Sequence, residues 1–106
     1  MTRERVASLE ALRFGKAIKV VIDGIPIAVV RESSGNVHAL GDRCSHGDIS
    51  LSDGFVEDDT IECWAHGSKF DLETGAPRNF PAFEAVPVFV VEIDGDDVFV
   101  NTEIRK

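Results

Sequence analysis

Four side chains able to bind transition metals lie in two short stretches of the sequence. Cys44 is followed two residues later by His46, and Cys63 is followed three residues later by His66. These stretches hold both cysteines of the chain and two of its three histidines. Thiolates and neutral imidazoles bind zinc, copper and iron–sulfur centres. The two stretches therefore predict one metal centre to which each contributes a cysteine and a histidine.

The spacing of these residues suits such a shared centre. A cysteine and a histidine two or three residues apart can face one point from a turned loop. Residues 47–62 separate the two pairs, and this segment is long enough to leave the first loop and bring the second back beside it. Residues 41–60 have little apolar periodicity and many Gly, Asp and Ser residues, which predicts a long structured loop of the kind that is usually functional.

The remaining sequence predicts an all-β scaffold, a small antiparallel β-barrel or sandwich. Short runs rich in Val, Ile and Phe are broken by Gly and Asp, as in all-β domains. Asp23-Gly24 and Asp94-Gly95 predict hairpin turns, and Ser8 predicts the cap of one helical turn over 8–12. We expect one domain over 1–106, with site loops at about 41–54 and 62–75. The predicted strands are 3–7, 16–22, 25–31, 37–40, 60–62, 69–71, 88–93 and 97–101.

The order C-x-H followed by C-x-x-H resembles the signature of the Rieske iron–sulfur family. The resemblance extends over about residues 4–102. It is supported by flanking residues that match the family pattern, namely Leu51 with Gly54, Gly67, Phe70-Asp71 and Thr74-Gly75. It implies a Rieske-type fold with a two-loop cluster-binding subdomain.

The resemblance also implies one Rieske-type [2Fe–2S] cluster, in which two histidines replace two cysteines on one iron. Cys44 and Cys63 would hold the inner iron, and His46 and His66 the outer, more exposed iron. A structural zinc site could use the same four side chains. Zinc sites more often pair like ligands, so the alternating Cys-His order favours iron–sulfur. The third histidine, His38, lies in a strand pattern and is expected to be structural.

Four residues are expected around the cluster. Ser68 stands at the position of a serine hydroxyl that the resemblance associates with high potential, and Phe70 stands where a tyrosine would be. We therefore expect a potential in the lower half of the Rieske range of about −150 to +300 mV. Gly67 follows the second histidine as in the family, and Trp64 either shields the cluster or caps the core.

The subclass that the chain resembles is the small Rieske-type ferredoxin. Respiratory Rieske proteins carry an extra cysteine in each loop and an N-terminal membrane helix, whereas Ala65 stands here in place of the second extra cysteine. Oxygenase subunits need a further catalytic domain, and the chain ends at Lys106. The resemblance thus implies an electron carrier, not an enzyme, between a ferredoxin reductase and a terminal non-haem iron, aromatic-ring-hydroxylating oxygenase. The alternatives are an accessory carrier or sensor in iron–sulfur cluster assembly, or a zinc-stabilised interaction module.

The charge balance points to protein partners. There are 11 Lys and Arg against 19 Asp and Glu, which gives a formal net charge of −8. Such a chain is a poor ligand for nucleic acid or an anionic membrane. No apolar run approaches the roughly 20 residues that span a bilayer, so we expect a cytoplasmic protein. Acidic residues near the second loop, Glu57, Asp58, Asp59 and Glu62, are expected either to bias docking or simply to form a solvated surface.

Overall fold

The computed structural model describes residues 3–44, 49–65, 67–79 and 84–105, with side chains as far as residue 102. Two of the predicted ligands, His46 and His66, lie outside these ranges. Within the ranges the chain forms two antiparallel sheets, and the barrel-like, all-β class predicted from the sequence is confirmed.

The larger sheet has six strands in the order β1-β9-β8-β4-β3-β2, and the smaller has three in the order β5-β6-β7. Every pairing is antiparallel, mostly between strands adjacent in sequence. The strands of the larger sheet are β1 Arg3–Ser8, β2 Lys16–Ile22, β3 Ile25–Arg31, β4 Val37–Gly41, β8 Val88–Asp94 and β9 Asp97–Arg105. Those of the smaller sheet are β5 Phe55–Glu57, β6 Thr60–Glu62 and β7 Lys69–Asp71.

The two predicted hairpins form, but one turn lies a residue later than expected. Asp23 and Gly24 have φ of 51° and 78°, as a type I′ turn between β2 and β3 requires. In the other hairpin Asp94 pairs with Asp97, so the central residues are Gly95 and Asp96. Gly95 alone has a positive φ, 64°, which matches a type II′ turn with glycine at its first central position.

The expectation of an unbroken loop over 41–60 is wrong at its second half. A short 3₁₀ turn spans Leu51–Asp53, and β5 follows it. Strand β5 has only three residues and pairs with β6 across a turn in which Asp58 has a φ of 52°. Three residues are too few to show an alternation of apolar and polar side chains. The strand is stabilised by its pairing with β6 and not by intrinsic β-propensity.

The helical turn predicted over 8–12 is no more than a pair of turns. The Ala11 N–H donates to Ser8 Oγ at 3.1 Å, so the predicted capping side chain does act. Leu12 ends the turn and is buried, so the segment contributes a side chain to the core but does not form a helix. Among the described residues there is no helix whose length and apolar character would let it cross a bilayer.

Strand β3 is buried on both faces and separates two hydrophobic cores. Ile27 and Val29 face one core, and Ala28 and Val30 face the other, as the alternation of a strand dictates. We call the second of these the site core, because both cysteines belong to it. The site core contains Ala28, Val30, Leu40, Cys44, Leu51, Ile61, Cys63, Phe70, Leu72, Val86 and Val88.

His38 has the structural role expected of it. It lies on β4, is 6% exposed, and its Nε2 bonds to the Glu32 carboxylate. Because this buried polar side chain has a hydrogen-bond partner, its burial does not destabilise the strand.

Candidate metal centre

Two buried thiols from different parts of the chain belong to the site core. Cys44 follows β4 and is 1% exposed, and Cys63 follows β6 and is fully buried. Neither forms a disulfide within the described residues. The structure thus brings together the two predicted ligands that it describes.

The two cysteines close their loops in the same way. The Cys44 N–H donates to the Ile49 carbonyl at 2.8 Å, and the Cys63 N–H donates to the Ser68 carbonyl at 2.8 Å. In each case the acceptor lies five residues after the cysteine, and a predicted histidine ligand lies inside the closed segment. The two loops therefore hold their cysteines in matching backbone closures.

The first loop, residues 41–54, is anchored by Asp42. This carboxylate is 2% exposed and lies 3.9 Å from the Lys19 ammonium. Its Oδ1 accepts the Ser52 N–H at 2.8 Å, and its backbone carbonyl accepts the Leu51 N–H at 2.5 Å. The Asp42 N–H donates to Pro26 in β3 at 3.0 Å. A single residue therefore ties both ends of the first loop to the larger sheet.

The second loop, residues 62–75, turns back on itself at Gly67. The Gly67 N–H donates to the Cys63 carbonyl at 3.0 Å, and Gly67 has a φ of 74°, a conformation that suits glycine. Ser68 and Phe70, two of the residues expected around the cluster, are fully buried. Both therefore lie in the interior of the protein, five and seven residues after Cys63 in the chain.

Trp64 does not cap the core. Its side chain is 55% exposed, so that alternative is wrong. Its position directly after Cys63 leaves the shielding role as a prediction.

The two loops touch through Gly54. A Cβ added at this glycine would lie 1.9 Å from the Glu62 carbonyl oxygen, which is well inside any allowed contact. The end of the first loop can therefore rest on the start of the second only if residue 54 has no side chain.

Two basic side chains partly neutralise the acidic region near the second loop. Lys69 lies 3.7 Å from Glu57 and 3.9 Å from Glu62. Arg78 pairs with Asp59 at 3.0 Å and also with Asp71. Hydrogen bonding to the Arg78 guanidinium is the main reason that the pKa of Asp71 is lowered from its usual 3.8.

Asp42, Lys69, Arg78 and Asn79 are site-supporting residues that the sequence did not reveal. Their partners are up to 23 residues away in the chain, as for Lys19 and Asp42. No sequence motif links these residues to their partners, so their supporting contacts could not be predicted.

The described donors fit an iron–sulfur centre in their chemistry. Two soft thiolates in an apolar core, each at the start of a tight closed loop, are suitable ligands for a [2Fe–2S] iron. Within the described ranges no group of three or more His, Cys, Asp or Glu side chains forms a metal site. Of the four predicted ligands, the structure therefore describes the two cysteines.

Comparison with known proteins assigns the fold and the family. The model of the Rieske [2Fe–2S] domain matches residues 3–90. The 3-phenylpropionate/cinnamic acid dioxygenase ferredoxin subunit of Shigella boydii serotype 4 (strain Sb227) is 38% identical over 88 residues, which are 82% of this chain and 81% of that protein.

Two solved structures are similar over almost the full chain. The ferredoxin of carbazole 1,9a-dioxygenase from Nocardioides aromaticivorans IC177 aligns with a TM-score of 0.90 and 34% identity, covering 95% of this chain and 98% of that one. A complex of reduced oxygenase and oxidized ferredoxin in carbazole 1,9a-dioxygenase gives a TM-score of 0.88 and 33% identity, covering 94% and 93%. These matches confirm the resemblance seen at the two Cys-His pairs, and the chain belongs to the Rieske [2Fe–2S] family as an electron carrier of the ferredoxin type.

Proposed function

We propose that this protein carries single electrons from a ferredoxin reductase to a terminal non-haem iron oxygenase that hydroxylates aromatic rings. The observation that carries the proposal is the convergence of Cys44 and Cys63 in one core through matching loop closures. The similarity to dioxygenase ferredoxin subunits, and to a ferredoxin in complex with its oxygenase, supports the choice of partners.

The proposed ligand set is Cys44 and Cys63 on one iron and His46 and His66 on the other, for one cluster per chain. When bound, the cluster supplies a reversible one-electron couple. The protein keeps water from the two buried thiolates and holds each on a closed turn. The His residues, which follow each cysteine in sequence, are the proposed exit to the partner.

The first experiment is the visible and EPR spectrum of anaerobically purified protein before and after dithionite. We expect a brown protein that bleaches and gives the low-average-g signal of a histidine-ligated [2Fe–2S] cluster. Cys44→Ser and Cys63→Ser should each remove the iron, while Ser50→Ala, a polar-to-apolar control elsewhere in the first loop, should retain it. A colourless wild-type protein that contains zinc would overturn the proposal, since Zn²⁺ gives no visible bands.

The partner assignment is tested by electron delivery. Reduced protein should be oxidised rapidly by an aromatic-ring-hydroxylating oxygenase in the presence of its substrate. Transfer of the intact cluster to an apo-protein, with no electron delivery, would instead support the role in cluster assembly.

We further propose that the acidic residues of the β5–β6 hairpin assist docking. Glu57, Asp59 and Glu62 have basic partners, whereas Asp58 has no ion pair within the described ranges. Asp58→Asn should slow reduction by the reductase at low salt by about twofold and flatten the salt dependence. Asp96→Asn, the same charge change in the β8–β9 turn, is the control, and equal effects of the two variants would show a general charge effect instead of a docking patch.

The buried Ser68 and Phe70 are proposed to set the potential in the lower half of the Rieske range. One hydroxyl donor is retained at Ser68, and the second is replaced by an apolar ring at Phe70. Ser68→Ala should lower the midpoint potential while leaving the Cys63 turn intact, because that turn uses the backbone carbonyl of Ser68. An unchanged potential in this variant would contradict the role of the hydroxyl.

A cytoplasmic location is part of the proposal. The two buried cysteines, which form no disulfide in the described residues, suit a reducing compartment, and the acidic charge argues against nucleic acid or an anionic membrane as a partner.

A further inference from the structure

Residues 76–79 add a strand-like segment to the free side of β7. The Asp71 N–H donates to the Ala76 carbonyl at 2.9 Å, and the Arg78 N–H donates to the Lys69 carbonyl at 2.7 Å. These two bonds have the spacing of an antiparallel ladder. The segment therefore extends the smaller sheet beside the second site loop.

The ladder changes character at Asn79. In a regular antiparallel pair, Lys69 and Arg78 would exchange both backbone bonds. Here the Lys69 N–H donates instead to Asn79 Oδ1 at 2.6 Å, and Asn79 Nδ2 donates to the Gly67 carbonyl at 3.0 Å. The side-chain amide thus takes the place of a peptide group and reaches one residue further towards the predicted ligand His66.

These two bonds hold the peptide groups on both sides of Ser68. The Gly67 carbonyl belongs to the peptide before Ser68, and the Lys69 N–H belongs to the peptide after it. That second peptide is also held through its carbonyl, which accepts the Cys63 N–H at 2.8 Å. Because a peptide group is planar and stiff, Asn79 is linked to the Cys63 backbone through one rigid unit.

We propose that Asn79 is a positioning residue for the second site loop. It fixes the backbone orientation of Cys63 and Ser68, and so contributes to the reduction potential of the cluster that this loop would help to hold. The inference rests on the ligand set of the proposed function. We call the two hydrogen bonds of the Asn79 side chain the clamp. Loss of the clamp should let the loop open and weaken the hydrogen bonds that stabilise the reduced cluster, which lowers the potential.

The test compares Asn79→Ala with Asn36→Ala, a control at an exposed asparagine in the β3–β4 turn, in the cluster-loaded protein. Backbone hydrogen exchange of residues 67–71 should be about five- to tenfold faster in Asn79→Ala, since each hydrogen bond is worth about 1 kcal/mol net. The midpoint potential should fall in the same variant. Both quantities should match the wild type in Asn36→Ala.

Asn79→Asp separates the two bonds of the clamp. A carboxylate can still accept the Lys69 N–H but cannot donate to the Gly67 carbonyl, so exchange at Lys69 should stay slower than in Asn79→Ala. Wild-type exchange of residues 67–71 in Asn79→Ala would overturn the clamp. Faster exchange with an unchanged potential would overturn its effect on the cluster.

The experiment keeps this inference distinct from the proposed function. Failure of the proposed function shows as a wild-type protein without the histidine-ligated [2Fe–2S] spectrum. Failure of the Asn79 role shows as a normal wild-type spectrum and no difference between Asn79→Ala and Asn36→Ala.

Discussion

The two site loops share one backbone closure but are anchored in different ways. Cys44 and Cys63 each donate to a carbonyl five residues ahead, at 2.8 Å in both loops. The first loop is held by the Asp42 carboxylate, which belongs to the loop itself and is 2% exposed. The second is held by the exposed amide of Asn79, which comes from the neighbouring segment.

The two anchors should therefore have different roles: the first stabilises the fold, and the second tunes the properties of the metal centre. A buried carboxylate whose partners are lost keeps its full desolvation cost, whereas an exposed amide is readily replaced by water. We therefore expect damage to the first anchor to unfold the site. Damage to the second should leave the fold intact and alter the properties of the centre.

The largest effect is expected where the loops meet, at Gly54. A Cβ there would lie 1.9 Å from the Glu62 carbonyl, so Gly54→Ala must push the two loops apart. We expect a loss of about 3 kcal/mol in the free energy of unfolding, measured by denaturant titration. The control is Gly24→Ala, where a Cβ meets nothing within 4 Å and only the strain of φ at 78°, about 1 kcal/mol, is added. Equal losses in the two variants would show that the loops do not depend on this contact.

The next largest effect is the difference in stability lost when each of the two anchors, Asp42 and Asn79, is removed. Asp42→Ala removes the buried carboxylate that accepts the partly buried Ser52 N–H and should cost about 2–3 kcal/mol, as expected for a hydrogen bond to a charged group. Asn79→Ala should cost about 1 kcal/mol or less, because water can reach its partners. Denaturant titration of both variants measures the contrast. A larger loss from Asn79→Ala would reverse the roles assigned to the two anchors.

The smallest effect concerns the ion pairs beside the second loop and depends on pH. The lowered pKa of Asp71 means that its ionised form stabilises the fold above the usual value of 3.8, and that this contribution fades as the pH falls through the lowered pKa. Arg78→Ala should therefore reduce stability at neutral pH, and the difference from wild type should shrink in acid.

The measurement for this prediction is the unfolding midpoint of wild type and Arg78→Ala between about pH 7 and the acid limit. Arg13→Ala, which removes an exposed arginine with no ion pair among the described residues, is the control. If the difference in unfolding midpoint between wild type and Arg78→Ala stayed constant with pH, Arg78 would not act through Asp71.

Much of the scaffold could be predicted because its signals are local. Asp23-Gly24 specifies its hairpin, since only residues tolerant of positive φ fit a type I′ turn. Strand β5 could not be predicted, because three residues carry too little alternation and the pairing with β6 stabilises them. The Gly95-Asp96 turn was displaced by one residue because register is fixed by strand pairing, which the dipeptide does not record.

The family and the carrier role could be predicted from the sequence, and with them the proposed ligand set of two Cys-His pairs, because a metal centre needs particular donor atoms at short, readable spacings. How the two cysteine loops are held depends on contacts that form only in the folded protein. The first loop depends on the buried Asp42 and on the approach of Gly54 to Glu62. The second depends on the hydrogen bonds of Asn79 and on the ion pairs of Lys69 and Arg78. All of these contacts join different segments of the fold. Such contacts leave no periodicity or spacing in the chain, since they depend on which surfaces the fold brings together.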